Sequence, residues 1–353
     1  MNIKKKFLKL TKKTYPHGTE NELKNHLPNG YKEDGLGNFF IQIGDSTTMF
    51  TCHLDTADRS QSQVRHIING NIIKTDGTSI LGADDKAGMT VMLYMIENKV
   101  PGLYYFFIGE ERGCVGSSRL SRTWLESDFS KIIKKCVSFD RRDVDSVITE
   151  QFSGVCCSLG FAKELSNRLN RVESTFKYSP DPTGIYTDSA QFTDLIPECT
   201  NISVGYYNEH TTHEQQDILH LEKLCEAVCK IDWETLPIIR EPSYYYEDDE
   251  DEGDFYEEDQ LFQPHNFCWF RINGESKKMM ISNSRIEEEK SMIEAHFKAI
   301  DSFSEYLDFN WDGRNLYGAT YSGEYQLITN RNELMELITD LCQVSMNQLK
   351  NFS

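Results

Sequence analysis

Short apolar runs and apolar positions at helical spacing alternate along the first two thirds of the chain. Residues 39–43 and 48–53 read as strands. Residues 64–68 and 71–75 read as a strand pair flanking Asn69-Gly70, a strong signal for a two-residue hairpin turn. Residues 85–97 read as a helix because Met89, Met92, Leu93 and Ile96 recur at its period. The unbroken apolar run 103–108 reads as a buried strand, 117–125 as a helix and 136–139 as another strand. Helices at about 161–169, 189–195 and 219–231 then alternate with strands near 176–178 and at 200–204. At the start, 7–27 reads as a helix broken at Tyr15-Pro16-His17-Gly18, with Thr19-Glu20-Asn21-Glu22 as a capping box that restarts it. Buried strands alternating with helices predict an α/β fold: a mixed, mostly parallel sheet flanked by helices on both faces.

The pattern breaks at Glu241. Residues 241–259 hold eleven acids and no base, a composition that cannot bury a core and reads as a solvated linker. Beyond it, 266–272 and 277–282 read as a hairpin around Asn273-Gly274, with helices at 284–300 and 331–349. The expected organisation is therefore a catalytic domain at 1–238, an acidic Tyr-rich linker at 239–261 and a small α+β accessory domain at 262–353.

Charge and composition follow from that division. The 353 residues carry 37 Lys and Arg against 56 Asp and Glu, a net charge of −19, and setting aside 241–259 leaves −8. That balance disfavours broad binding of a nucleic-acid backbone. No apolar run reaches the length of a membrane span, and the basic N-terminus lacks the apolar segment of a secretory signal. The ten cysteines include no Cys-x-x-Cys pair and sit mostly in strand-like apolar contexts, so they read as free buried thiols in a reducing cytoplasm. Cys225 and Cys229, four apart on a helix, read as packing residues.

Chemistry concentrates in five segments at predicted strand ends or helix starts. They hold His53 and Asp55, Asp84 and Asp85, Glu110 and Glu111, Asp140, and His210 with His213. In an α/β sheet the ligand crevice lies beyond the carboxyl ends of the strands, where such segments can converge. Two or three imidazoles with several carboxylates suit one or two cations such as zinc, cobalt or manganese. Each residue also has a plain explanation: a buried histidine, a helix cap at Asp84-Asp85, a solvated Glu110-Glu111 turn, a surface ion pair at Asp140. Their joint occurrence in this order is what favours a site.

These motifs resemble those of the zinc-dependent exopeptidase superfamily, which includes peptidase T, the carboxypeptidase G type and the two-metal leucyl and glutamyl aminopeptidases. The likeness rests on His53-Leu54-Asp55, the Gly-Ala-Asp-Asp-Lys-Ala-Gly run at 82–88, and the Glu-Glu-x-Gly-x-x-Gly-Ser run at 110–117. Asp140 and His210-Thr211-Thr212-His213-Glu214 complete it, over roughly residues 5–235. The resemblance implies two divalent metal ions, zinc or else cobalt or manganese, bridged by Asp84. Glu111 and His210 would complete one site, and His53 and Asp140 the other. Asp55 would orient His53, a cis peptide would join Asp84 to Asp85, and Glu110 would be the general base.

Departures from the family bear on substrate. Only 70 residues separate Asp140 from His210 and 31 separate His53 from Asp84, too few for the inserted domains of either branch, so the catalytic domain reads as lidless. The expected function is a cytoplasmic metallo-exopeptidase, more an aminopeptidase than a carboxypeptidase. The alternatives are an amidase or deacylase acting on a non-peptide amide, and an inactive binding or assembly module. The expected partner is a peptide or amide substrate, with no nucleic acid and no membrane, and self-association or a protein partner through the C-terminal unit stays open. His213 is the alternative to His210. Tyr186 reads as packing on the sheet edge in preference to donating to an oxyanion, and Thr187-Asp188-Ser189 resembles a polar pocket segment.

Overall fold

A computed structural model describes residues 1–151 and 154–242, together with the backbone of five strands further on. Its centre is an eight-stranded sheet. The strands are β1 (Lys32–Glu33), β2 (Phe39–Ile43) and β3 (Thr48–His53), then, after a hairpin of β4 (His66–Asn69) and β5 (Ile72–Thr75), β6 (Gly102–Phe107), β7 (Lys135–Arg141) and β8 (Ser146–Ile148). After the short pair β9 (Glu150–Gln151) and β10 (Gly154–Val155) come β11 (Ser179–Asp181) and β12 (Glu198–Ser203). Their order is β1-β2-β6-β3-β7-β12-β8-β11. The central run β6-β3-β7-β12 is parallel throughout, so four strands end at the same edge.

The strands β3 and β6 are buried at every position, which is why β6 reads as a continuous apolar run. Their side chains alternate between two cores. Phe50, Tyr104 and Phe106 join the helices α1 (Ile3–Leu10), α2 (Ala83–Glu97), α4 (Leu159–Val172) and α5 (Ile218–Val228) on one face. Met49, Leu103, Tyr105 and Phe107 join Leu120 of α3 (Val115–Arg122), Trp124 and Phe192 on the other. The expected α/β architecture, a mostly parallel sheet covered on both faces, is the one observed, and the described residues contain no inserted lid.

A second, four-stranded sheet pairs β4 and β5 with β13 (Tyr206–Tyr207) and β14 (Gln215–Asp217) in the order β13-β14-β5-β4. Sequence periodicity missed β13 and β14, because two- and three-residue strands are shorter than any period can register. It also misread the segment after Gly18. Residues Glu20–His26 form a 3-10 helix, and Thr19 makes no side-chain cap; its hydroxyl donates to Pro16 O at 2.8 Å while Glu20 turns inward. The expected helix at 189–195 is likewise a 3-10 turn, Asp188–Phe192. The strand expected near 176–178 lies at Ser179–Asp181, with Phe176 and Tyr178 buried beside it.

The eight described cysteines are free, and all but Cys229 are buried. Among the described residues no helix is long and apolar enough to cross a membrane.

One buried group gives acid sensitivity a location. His220 on α5 sits against Tyr178, whose hydroxyl donates to Ser203 O at 2.6 Å and lies 2.9 Å from His220 Nε2. Burial pushes the imidazole down to about 4. The unfolded histidine titrates near its ordinary value, so the unfolded chain binds the extra proton first. Stability from His220 is therefore complete above about pH 6.5 and lost as pH falls toward 4. Between pH 7 and 5 the wild type should lose about 2 kcal/mol more unfolding free energy than His220→Gln. Equal losses in urea titrations of the two proteins would remove His220 from the account.

The chain divides into two compact units, Met1–Tyr246 and Glu247–Ser353. In the second, strands His265–Ile272 and Glu275–Ser282 pair antiparallel, flanking the expected Asn273-Gly274 turn. Three more, Phe309–Trp311, Leu316–Ala319 and Tyr325–Ile328, form an antiparallel sheet. Most of the acidic linker and the helices expected at 284–300 and 331–349 lie outside the described residues.

Candidate metal centre

Parallel strands bring the five segments together. His53 ends β3, Asp140 lies near the end of β7, and β6 runs through Gly109 into the turn that carries Glu110 and Glu111, all at one edge of the sheet. Gly82 and Gly109 both take positive φ, +70° and +64°, a backbone region that favours glycine, and so turn the chain just before Asp84 and Glu110. Asp84 and Asp85 precede the regular part of α2 with non-helical dihedrals, and the peptide bond between them is cis. His210 arrives on the loop between β13 and β14, also at positive φ.

Asp84 stands at the middle. Its Oδ1 lies 2.9 Å from His53 Nε2 and its Oδ2 lies 3.1 Å from His210 Nε2. The same His53 nitrogen is 3.5 Å from Asp140 Oδ1, and the same His210 nitrogen is 3.0 Å from Glu111 Oε2. Two donor sets thus share one carboxylate, a different oxygen serving each. Bonds of about 2.0–2.2 Å in a tetrahedral shell put donor atoms about 3.3 Å apart, so each of these histidine–carboxylate pairs has the spacing of two donors on one cation. Glu111 Oε1 is buried without a hydrogen-bond partner among the described residues, an orphan that a cation would satisfy. The side chains present fit two borderline divalent ions.

A layer of buried groups holds these donors. Asp55, wholly buried, faces His53 Nδ1 at 3.4 Å and accepts the backbone N–H groups of Glu110 at 3.0 Å and Glu111 at 3.2 Å. It therefore fixes one donor from each set. Glu214 accepts the N–H groups of Leu81, Gly82 and Asp84 at 2.8–3.0 Å and so clamps the turn before the shared carboxylate. Lys86, also buried, donates to the carbonyls of Leu54 at 2.7 Å and Asp55 at 3.1 Å. Asp85 accepts from His53 N and Gly88 N. Thr187 Oγ1 donates to Asp140 Oδ2 at 2.6 Å, and the Tyr206 hydroxyl lies 3.2 Å from its Oδ1.

Charge in the cluster is shared between acids and imidazoles. Burial works to raise the Asp84 carboxyl, but hydrogen bonds from His210 and His53 outweigh it and hold it well below the usual range. The same contacts with Asp84 and Glu111 lift His210 to about 11. Burial, reinforced by Asp84, pushes Asp140 up to about 6, and burial raises Glu110 well above its ordinary value. Glu110 sends its Oε1 toward the Cys114 thiol at 3.5 Å, not toward either donor set.

The structure places all seven residues singled out in sequence, His53, Asp55, Asp84, Glu110, Glu111, Asp140 and His210, in this one cluster. His213 is exposed, its N–H bonded to Thr211 Oγ1. The segment Thr187-Asp188-Ser189 is buried beneath the site and packs it, with Asp188 accepting from Ser117 Oγ at 2.5 Å. Tyr186 lines the cleft beside Asp84, Glu110, Asp140, Tyr206 and His210, and its hydroxyl accepts from Gln191. That cleft encloses about 180 Å³, with Arg141 and Arg142 at its wall. The roles of Lys86, Glu214 and Tyr206 were missed. The one signal available was that a lysine and a glutamate occupied motifs already suspected.

No family model matches the chain. Over 106 residues it is 39% identical to the uncharacterized protein YqjE of Bacillus subtilis strain 168, a match spanning 27% of this chain and 28% of that protein. Among solved structures it is similar to aminopeptidase PepT of Bacillus cereus ATCC 10987, with a TM-score of 0.51 and 19% identity, over 64% of this chain and 96% of that one. It is also similar to a tripeptidase of Staphylococcus aureus subsp. aureus Mu50, with a TM-score of 0.53 and 18% identity, over 66% and 97% of the respective chains. Pyrococcus horikoshii TET1 peptidase, which can assemble into a tetrahedron or a large octahedral shell, gives a TM-score of 0.50 at 14% identity, over 65% and 98%. At such identities the likeness is one of fold, and the chain has the mixed α/β fold of these peptidases.

Proposed function

We propose that the chain is a metal-dependent hydrolase of peptide bonds, an exopeptidase of the aminopeptidase kind working with two divalent ions. The observation that carries this reading is Asp84, which presents one oxygen to His53 and the other to His210. His53 and Asp140 would hold one ion with Asp84, and Glu111 and His210 the other. Zinc is the expected metal, with cobalt or manganese as alternatives that the same donors accept. Such ions supply acidification of a water and polarisation of a carbonyl oxygen.

The chain's own residues do the remaining work. Glu110 takes the water's proton and passes it to the leaving amine, a task suited to a carboxyl whose pKa burial has raised well above its ordinary value. Asp55 fixes the His53 ring and the Glu110-Glu111 turn together, so base and ligands keep one geometry. The absence of an inserted domain among the described residues favours an aminopeptidase over a carboxypeptidase, as does the likeness in fold to the aminopeptidase PepT. The cytoplasm is the setting that its free buried thiols fit, and homo-oligomers belong to this reading because the TET1 peptidase forms shells.

The test is metal analysis joined to assays on peptide and acyl-amino-acid libraries. We expect about two zinc, cobalt or manganese ions per chain and removal of amino-terminal residues. Two ions with turnover of acyl-amino acids alone would shift the reading to an amidase. No metal uptake under replete conditions would leave a binding module.

A further inference from the structure

The segment Pro16-His17-Gly18-Thr19 lies in the expected break between α1 and the 3-10 helix that starts at Glu20, but Thr19 does not cap that helix. Glu20 is buried; its two oxygens accept from His17 Nδ1 at 2.7 Å and Gly18 N at 2.6 Å. The imidazole so held lies against Gly109, where an added Cβ would come within 2.8 Å of the ring. Gly109 is the residue that turns β6 into Glu110 and Glu111. Donor atoms of His17, Glu20 and Asp55 also lie within 4.8 Å of one another. This trio is not read as a further cation site, because the oxygens of Glu20 and Asp55 are already engaged by His17, Gly18, His53 and the Glu110-Glu111 turn.

The same stretch is stitched to the loop after His53. Tyr15 N donates to Thr56 Oγ1 at 2.8 Å, and Thr56 N donates to Tyr15 O at 2.9 Å. The N-terminal segment therefore backs both the Asp55 loop and the Gly109 turn. Of the two donor sets, the one that contains Glu111 depends on that turn. The other, His53 with Asp140, is carried by the regular strands β3 and β7.

We propose that His17, held by Glu20, is a positioning residue for the Glu111–His210 cation. It presses on Gly109 and keeps the Glu110-Glu111 turn bonded to Asp55, and so sets the affinity of one ion without touching it. Groups placed behind metal ligands typically change metal affinity by ten- to a hundredfold when removed. This rests on the two-ion reading above.

The experiment titrates metal-free protein with Co(II), followed by its visible absorption and by calorimetry, in wild type, His17→Ala and His17→Asn. The His17 side chain is about one-third exposed, so both variants should fold, with thermal unfolding as the control. In His17→Ala the first ion should bind as in wild type and the second at least tenfold more weakly. His17→Asn, which keeps a donor near Nδ1, should recover part of that loss. Unchanged affinity for both ions in His17→Ala overturns the proposal. So does equal weakening of both, which would mark general loosening. A wild type that binds a single ion removes the two-ion reading and this inference with it, whereas a two-ion wild type with a silent His17→Ala removes this inference alone.

Discussion

Glu110→Gln should keep two metal ions per chain and lose between about a hundredfold and ten-thousandfold in kcat. The amide has the size of the carboxyl but cannot accept the water's proton. Glu110 lies at the same cleft as Asp84 and Asp140 while its carboxylate points at Cys114, outside both donor sets. Its backbone N–H, which Asp55 binds, is unchanged by the substitution. The variant should therefore preserve the turn and the metal content while failing in proton transfer. Steady-state kinetics beside elemental analysis of the same preparation make the check. A variant that turns over at the wild-type rate would take the base role away from Glu110. One that has also lost metal would make it a ligand.

Asp84→Ala should weaken both ions together, by a margin that leaves the purified protein close to metal-free. Glu111→Ala and Asp140→Ala should each weaken one. The asymmetry follows from the placement of the carboxylate oxygens, 2.9 Å and 3.1 Å from nitrogens that belong to different sets. Asp84 is also the counter-charge for His53 and His210, and removing one partner of a buried pair costs several kcal/mol. Asp84→Asn, which keeps the shape and one acceptor, serves as the folded control. Metal titration of the variants decides the matter: an Asp84→Ala protein that still binds one ion with wild-type affinity does not have a shared carboxylate.

Individual residues show what was legible beforehand. The strand β6 was visible because burial on both faces leaves an unbroken apolar run, and α2 because its apolar residues repeat at the helical period. His53, Asp84, Glu111, Asp140 and His210 could be gathered because motifs at strand ends tend to meet in α/β sheets. The choice between His210 and His213 lay beyond spacing. It depends on a loop in which Asn208 and His210 both take positive φ, turning one imidazole toward Asp84 and leaving the other in solvent. The supports were hidden for a related reason. Glu214 bonds backbone groups some 130 residues earlier in the chain, and Lys86 bonds carbonyls about 30 residues away.

By itself the sequence determined an α/β sheet with chemistry at the strand ends, a set of donor types suited to divalent ions, and an acidic segment that accounts for most of the net charge. These follow from local periodicity and composition, which act over a few residues. Only the tertiary structure decided that Asp84 divides its oxygens between two histidines, that Asp55 ties His53 to the Glu110-Glu111 turn, and that His17 lies against the Gly109 that leads into that turn. Those are distances of a few ångströms between groups remote in the chain, and they exist only once the parallel strands have brought their ends to one edge.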